Sequence, residues 1–158
     1  PDIMACGKGA GGGILPVSFV AARNDVIETL TPGSEGSTFG GYPLASVVGV
    51  YAIKALIEQN LTENAKIRGV QLLNHFEDLK NEFPDKIKEV RGKGLLTAFE
   101  MHESPKLDGH IVSMELLKNG IYVKETHHST VRIAPALTVK AWHIDQMAEG
   151  IRTVISNL

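Results

Sequence analysis

Lys8 stands in the stretch Cys6-Gly7-Lys8-Gly9-Ala10-Gly11-Gly12-Gly13, an amine with glycine on both sides. Glycines remove the side chains that would keep a partner away from the backbone, so a ligand can approach closely. The preceding run, residues 1–5, is short and mainly apolar. A lysine carried into a partly dry site by such a run is favoured in its neutral form, and a neutral amine is what a Schiff base needs. Taken alone, a Gly-Lys-Gly loop more often carries a solvated lysine, and that reading stands beside the chemical one. A P-loop is excluded: it needs glycine five residues before the Gly-Lys pair and Ser or Thr directly after, where this chain has Asp2 and Gly9.

A second glycine-rich stretch, Gly33-Ser34-Glu35-Gly36-Ser37-Thr38-Phe39-Gly40-Gly41-Tyr42-Pro43, puts the hydroxyls of Ser37 and Thr38 just before an apolar helical run. Hydroxyls, exposed amides and a positive helix end together suit a phosphate. A tight structural turn is the alternative. An amine nucleophile followed by a phosphate cradle is the combination that a phosphorylated aldehyde cofactor requires. Other chemistry-bearing residues say less. His127 and His128 would point apart on a strand and lack a third metal ligand. Arg91 and Lys93 read as neutralising a turn or binding nothing in particular, and Trp142 and His143 as surface or packing residues.

The elements that must hold these loops fall into two textures. Residues 1–60 are rich in glycine and small side chains. An apolar run over 14–22 predicts a strand buried on both faces, with Pro16 at its entry. Asn24 or Asp25 can cap a short helix reaching residue 30, broken by Thr31-Pro32-Gly33-Ser34. A helix is expected over 43–60, with Pro43 in its first turn. It is apolar nearly all round from 44 to 53, so it should pack inside a large domain whose walls this chain can hardly supply alone.

From Leu61 the elements become amphipathic. Thr62 can cap a helix whose stripe is Ile67, Val70, Leu73, Phe76, Leu79 and Phe83, stopped by Pro84. Strands are expected over 87–90 and 95–101 about a turn at 91–94, then a helix over 108–118 stopped by Asn119-Gly120. Two short strands, 121–124 and 130–133, precede a last helix capped by Thr138, with Ile144, Met147, Ile151, Val154 and Leu158 in line. Antiparallel strands covered by helices make residues 61–158 a small α+β domain.

A chain of 158 residues, 43% apolar, can bury a core of one domain or two small ones. A net charge of −2 offers no footprint for nucleic acid or an anionic membrane, and no run approaches the ~20 apolar residues of a membrane span. One cysteine, Cys6, and no secretory or transit-type start fit a reducing, cytoplasmic setting. Without an initiator methionine, the sequence reads as a piece of something longer.

The order of motifs then becomes decisive: Pro1-Asp2-Ile3, Gly7-Lys8, Gly11-Gly12-Gly13, Gly36-Ser37-Thr38-Phe39-Gly40-Gly41, Pro43-Leu44, Asn60 to Ala65, Val90 to Leu96, Thr126-His127 and Val131-Arg132-Ile133-Ala134-Pro135-Ala136-Leu137. As a set this resembles the class III pyridoxal-phosphate aminotransferases over essentially the whole chain, and within them the ornithine aminotransferase branch. It corresponds to the C-terminal two-fifths or so of the family's usual length. The resemblance implies an α/β fold of type I, with residues 1–60 closing the large pyridoxal-phosphate domain and 61–158 forming the small one. It implies pyridoxal 5′-phosphate held by Lys8 as a Schiff base, its phosphate bound by Thr38 with Ser37, and Arg132 near a substrate carboxylate. A structural ion pair is the alternative for Arg132.

The resemblance further implies a homodimer in which the Thr38 loop reaches the partner's cofactor. The partners would be a small amino donor and a 2-oxo acid, with no nucleic acid or membrane. The reaction would move the terminal amino group of ornithine, or a similar ω-amine, to 2-oxoglutarate. Donors such as acetylornithine, 4-aminobutyrate or putrescine remain open, as does a non-enzymatic dimerising module. Two residues depart from the pattern: Tyr42 stands where asparagine is usual, and Ala136 where proline is. The family's aspartate at the pyridinium nitrogen, its stacking aromatic and its same-subunit phosphate loop all precede the lysine and cannot lie in seven residues. The expectation is therefore a fragment that is inactive alone.

Overall fold

The computed structural model describes residues 1–102, 104 and 107–158, which divide into two units, Pro1–Asn60 and Leu61–Leu158. In the first unit, β1 (Ile3–Cys6) and β2 (Phe19–Ala22) form an antiparallel ribbon, paired from Ile3↔Ala22 to Cys6↔Phe19. The strand expected over 14–22 is shortened to its last four residues. Gly12 and Gly13, at φ 61° and 77°, turn the chain, and Pro16 has no N–H for a ladder. Nor is β2 buried, because no described residue of this unit covers it.

The short helix α1 (Asn24–Ile27) begins after Arg23, so Asn24 and Asp25 lie within it instead of capping it. Arg23 binds Asp2 at 2.6 Å and pairs with Asp25, tying the start of β1 to the end of β2. That guanidinium holds the Asp25 carboxyl below the ordinary carboxylate range.

Helix α2 (Pro43–Glu58) matches the expected run, with proline in its first turn. Its Leu44, Val47, Val50, Tyr51 and Ile57 are all exposed, and Gly49 is its one buried residue. The helix is apolar nearly all round from 44 to 53, as read, but among the described residues of its own unit only one side has a partner. On that side Gly49 faces Val17, and a Cβ added there would meet Val17 Cγ1 at 3.3 Å.

The second unit has a core. Helix α3 (Leu61–Glu82) is followed by β3 (Ile87–Lys93), β4 (Leu96–Met101), α4 (Gly109–Lys118), β5 (Lys124–Thr126), β6 (Thr130–Ile133) and α5 (Ala141–Asn157). The strands make one antiparallel sheet in the order β3-β4-β6-β5. Its inner face carries Thr97, Phe99 and Met101 of β4 with Val131 and Ile133 of β6, all buried. Phe99 meets Phe76 of α3 edge-on, ring centroids 5.4 Å apart, and Ile144, Ile151 and Ile155 of α5 complete the interior.

Several expectations shift by a residue or two. The buried line of α3 runs through Gly69, Leu72, Phe76 and Leu79, whereas Ile67 and Val70 are exposed. Gly69 explains the choice of face: a Cβ there would lie 2.2 Å from the Gly94 carbonyl oxygen, so only glycine lets α3 lie on the β3–β4 turn. That turn is tighter than expected, with Lys93 and Leu96 paired across Gly94 and Leu95. Asp108 caps α4 by accepting the Ile111 N–H at 2.7 Å, and Gly120 at φ 78° follows its end. Helix α5 starts at Ala141, where His143 Nδ1 accepts the Lys140 N–H at 3.0 Å, so Thr138 is not its cap. Strand β5 starts three residues later than expected. His127 and His128 sit in the left-handed turn after it, at φ 51° and 62°, and not on a strand.

Candidate active site

Lys8 opens a 3-10 turn, Lys8–Gly11, directly after β1. It is exposed and held at φ 51°, a conformation that side-chain-bearing residues seldom adopt. The turn rests on α2, where a Cβ on Gly12 would touch the Ala52 Cβ at 3.4 Å, and on Val17 through Gly11. The lysine backbone is thus fixed from below while its side chain has no hydrogen bond or ion pair among the described residues. Among the described residues no apolar side chain covers that side of the turn, so the partly dry site expected for the lysine is not built there.

Ser37 and Thr38 lie in the exposed loop 31–42, closed by the Gly40 N–H donating to the Ser37 carbonyl at 3.1 Å. Neither hydroxyl is engaged by the described residues. The loop leads into Pro43, and the α2 N-terminus receives no side-chain cap from Tyr42. An asparagine at that position could supply one; Tyr42 instead packs edge-on against Phe39, centroids 6.5 Å apart. An open cleft in this unit is walled by Ser37, Glu35, Phe39, Tyr42, Val17 and Gly49 among others, and Lys8 and Thr38 lie outside its walls. Its lining is largely apolar, so we read it as an uncovered packing surface and not as a substrate pocket.

Arg132 belongs to the second unit. It projects from β6 on the exposed face of the sheet, between its partners Ala98 on β4 and Lys124 on β5. No described residue forms an ion pair with it. On the same face Glu100 is engaged by Lys88 at 2.7 Å and by Arg91 at 2.9 Å. Those two cations, Lys88 first, hold the Glu100 carboxyl below its ordinary range. Arg91 therefore secures Glu100, and also donates to Thr130 Oγ1 at 3.2 Å, where the sequence suggested only a neutralised turn.

A positioning contact escaped the sequence reading. Asn64 Nδ2 donates to the carbonyls of Leu137, at 2.6 Å, and Val139, at 3.1 Å. It joins the Asn60-to-Ala65 motif to the segment that continues from Arg132. No metal-holding group of His, Cys, Asp or Glu occurs among the described residues.

With this geometry in place, the family model for aminotransferase class-III matches residues 1–155. The chain belongs to the class-III aminotransferase family. Among relatives, the ornithine aminotransferase of Staphylococcus epidermidis is 41% identical over 99% of this chain and 38% of its own length. The mitochondrial ornithine aminotransferase of Arabidopsis thaliana is 37% identical, over 98% of the chain and 33% of its own length. Among solved structures, the acetylornithine aminotransferase of Elizabethkingia anophelis superposes with a TM-score of 0.94 at 34% identity, covering all of this chain and 39% of that one. The ornithine delta-aminotransferase of Plasmodium falciparum gives 0.89 at 36% identity, over 99% and 40%. The chain thus spans about a third to two-fifths of the length of these relatives.

Class-III aminotransferases work with pyridoxal 5′-phosphate. The donor set of the first unit fits that group: a glycine-flanked amine without a partner among the described residues, two unengaged hydroxyls, loop amides and an uncapped helix start.

Proposed function

We propose that the class-III protein to which this chain belongs moves the terminal amino group of ornithine, or of a similar ω-amine, to 2-oxoglutarate, with pyridoxal phosphate held on Lys8. The observation that carries this reading is the exposed, glycine-flanked amine of Lys8 at φ 51°, on a turn fixed against α2. When bound, the cofactor supplies the electron sink for the electron pair left at the amine-bearing carbon. Lys8 Nζ would hold that group through its aldehyde carbon, and the same Nζ, as a neutral amine, would take up and return the proton at the amine-bearing carbon of the substrate.

Both tasks need a neutral amine in a dry setting. Residues beyond these 158 supply the cover, together with the groups that face the cofactor ring, and the chain by itself does not turn over substrate. Thr38 Oγ1, with Ser37 Oγ beside it, holds the phosphate of the partner subunit's cofactor, which makes the working enzyme a homodimer. Arg132 orients a substrate carboxylate with its planar fork.

Borohydride reduction of the cofactor-loaded, full-length protein, followed by peptide mass analysis, tests this assignment. A pyridoxyl adduct on the peptide containing Lys8, absent in Lys8→Ala, is expected. An adduct on a different lysine would reject it. Acetylornithine is a second reading of the donor, favoured by the 0.94 superposition. Rates with ornithine, acetylornithine, 4-aminobutyrate and putrescine against 2-oxoglutarate decide among the donors.

A further inference from the structure

The exposed face of the sheet is unevenly neutralised. On the β3 side, Lys88 and Arg91 are both matched by Glu100, and Arg91 also by Glu89 at 3.3 Å. On the β5 side, Lys124 and Arg132 are direct cross-strand partners. Opposed residues have Cβ atoms roughly 4.5–5.5 Å apart, and like charges so placed repel. Arg132 has no ion pair among the described residues. The contact of Lys124 is a long one, 3.8 Å to Glu125 Oε1, with 57% of the lysine side chain exposed. Glu125 lies one residue along β5 and so points to the opposite face, where it lies 3.6 Å from His110 Nδ1 of α4. Beyond Arg132 the row continues with the half-buried Ala98 and then Arg91, which is engaged by Glu100 and Glu89.

Two adjacent cations, Arg132 without an ion pair among the described residues and Lys124 with only the long contact to Glu125, destabilise an empty sheet and favour an anion laid across them. A carboxylate has about four lone-pair sites on its two oxygens: an arginine fork takes two, and a lysine ammonium can take another. We infer that Lys124 shares the substrate carboxylate with Arg132, and thereby selects carboxylate-bearing substrates over amines that lack one. The inference rests on the reading of Arg132 as a carboxylate ligand and adds Lys124 to that site. Alternation along the short strand hid it from the sequence, because the pairing depends on the register of β5 against β6.

The test uses glutarate, a non-reacting dicarboxylate, titrated into the full 158-residue chain while the amide resonances of residues 124–133 are followed. Glutaramide, of similar shape but uncharged, serves as the control. Lys124→Gln should weaken glutarate binding about fivefold, the upper end for an exposed charge pair, with Lys124→Arg close to the parent. Arg132→Gln should weaken it more. Without ligand, Lys124→Gln should unfold at the same temperature as the parent or higher, because it removes a repulsion; a merely structural lysine would lower it. If Lys124→Gln leaves binding unchanged while Arg132→Gln weakens it, the role of Lys124 is rejected and that of Arg132 stands. If neither weakens it, or glutaramide binds as well as glutarate, both roles fall. Equal losses in Lys124→Arg and Lys124→Gln would reject charge sharing.

Discussion

Residues 1–60 and residues 61–158 are built from similar shares of apolar sequence, yet they end in opposite states. Every large side chain that the structure buries completely belongs to the second unit, from Leu72 through Ile155, whereas the first unit buries two glycines, Gly11 and Gly49. The second unit closes its sheet with three helices of its own. The first presents a two-stranded ribbon, marginal by itself in water, and a helix with apolar residues facing out. The proposed nucleophile and phosphate loop lie in the open unit, and the arginine proposed as a carboxylate ligand lies in the closed one.

The sharpest way to break this contrast is to open the closed unit. Phe99→Ala removes a fully buried ring packed on Phe76 and should cost about 3–5 kcal/mol, read from denaturant unfolding of the chain. A loss under about 1 kcal/mol would mean that the second unit is no better packed than the first. The converse change is Val50→Ser on the outward side of α2, which is 51% exposed. It should alter the stability of the 158-residue chain by no more than about 0.5 kcal/mol. A larger loss would show that α2 already has partners within the chain.

The smallest effect is a pH dependence. Glu100 is held low by Lys88 and Arg91, and Asp145 by His75 at 2.9 Å and by Gln71 at 2.6 Å. A carboxylate whose folded pKa lies below its unfolded value stabilises fully above the unfolded value, and loses that contribution as pH falls through the folded one. The melting temperature of the second unit should therefore fall on acidification below the ordinary carboxylate range, and less so in Glu100→Gln. An unchanged acid limb in that variant would remove Glu100 from the account.

Much of this was legible in the residues. Pro43 and the long apolar run marked α2, Asp108 and Gly120 marked the ends of α4, and the spacing of Ile144, Ile151 and Val154 marked α5. These signals are local: a cap, a stop or a helical period. The errors share a different cause. The run over 14–22 looked buried because it is apolar, but burial needs a neighbour that composition cannot name. The stripe of α3 was placed on Ile67 and Val70 because they are large, whereas the close approach of Gly69 to Gly94 turned the helix to another face. At the proposed site, Lys8, Ser37, Thr38 and Arg132 come from the glycine loops and the order of motifs. Asn64 and Lys124 were not, because their parts depend on what lies opposite in space.

The backbone of Lys8 has one more implication. A residue with a Cβ held at φ 51° carries a conformational penalty on the order of 1 kcal/mol, which glycine at the same place would avoid. Selection for folding alone would put glycine at position 8, completing a glycine tract that already surrounds it. Lysine there is a small, standing handicap to the native state, and a handicap of that kind persists where the side chain answers to a demand other than stability.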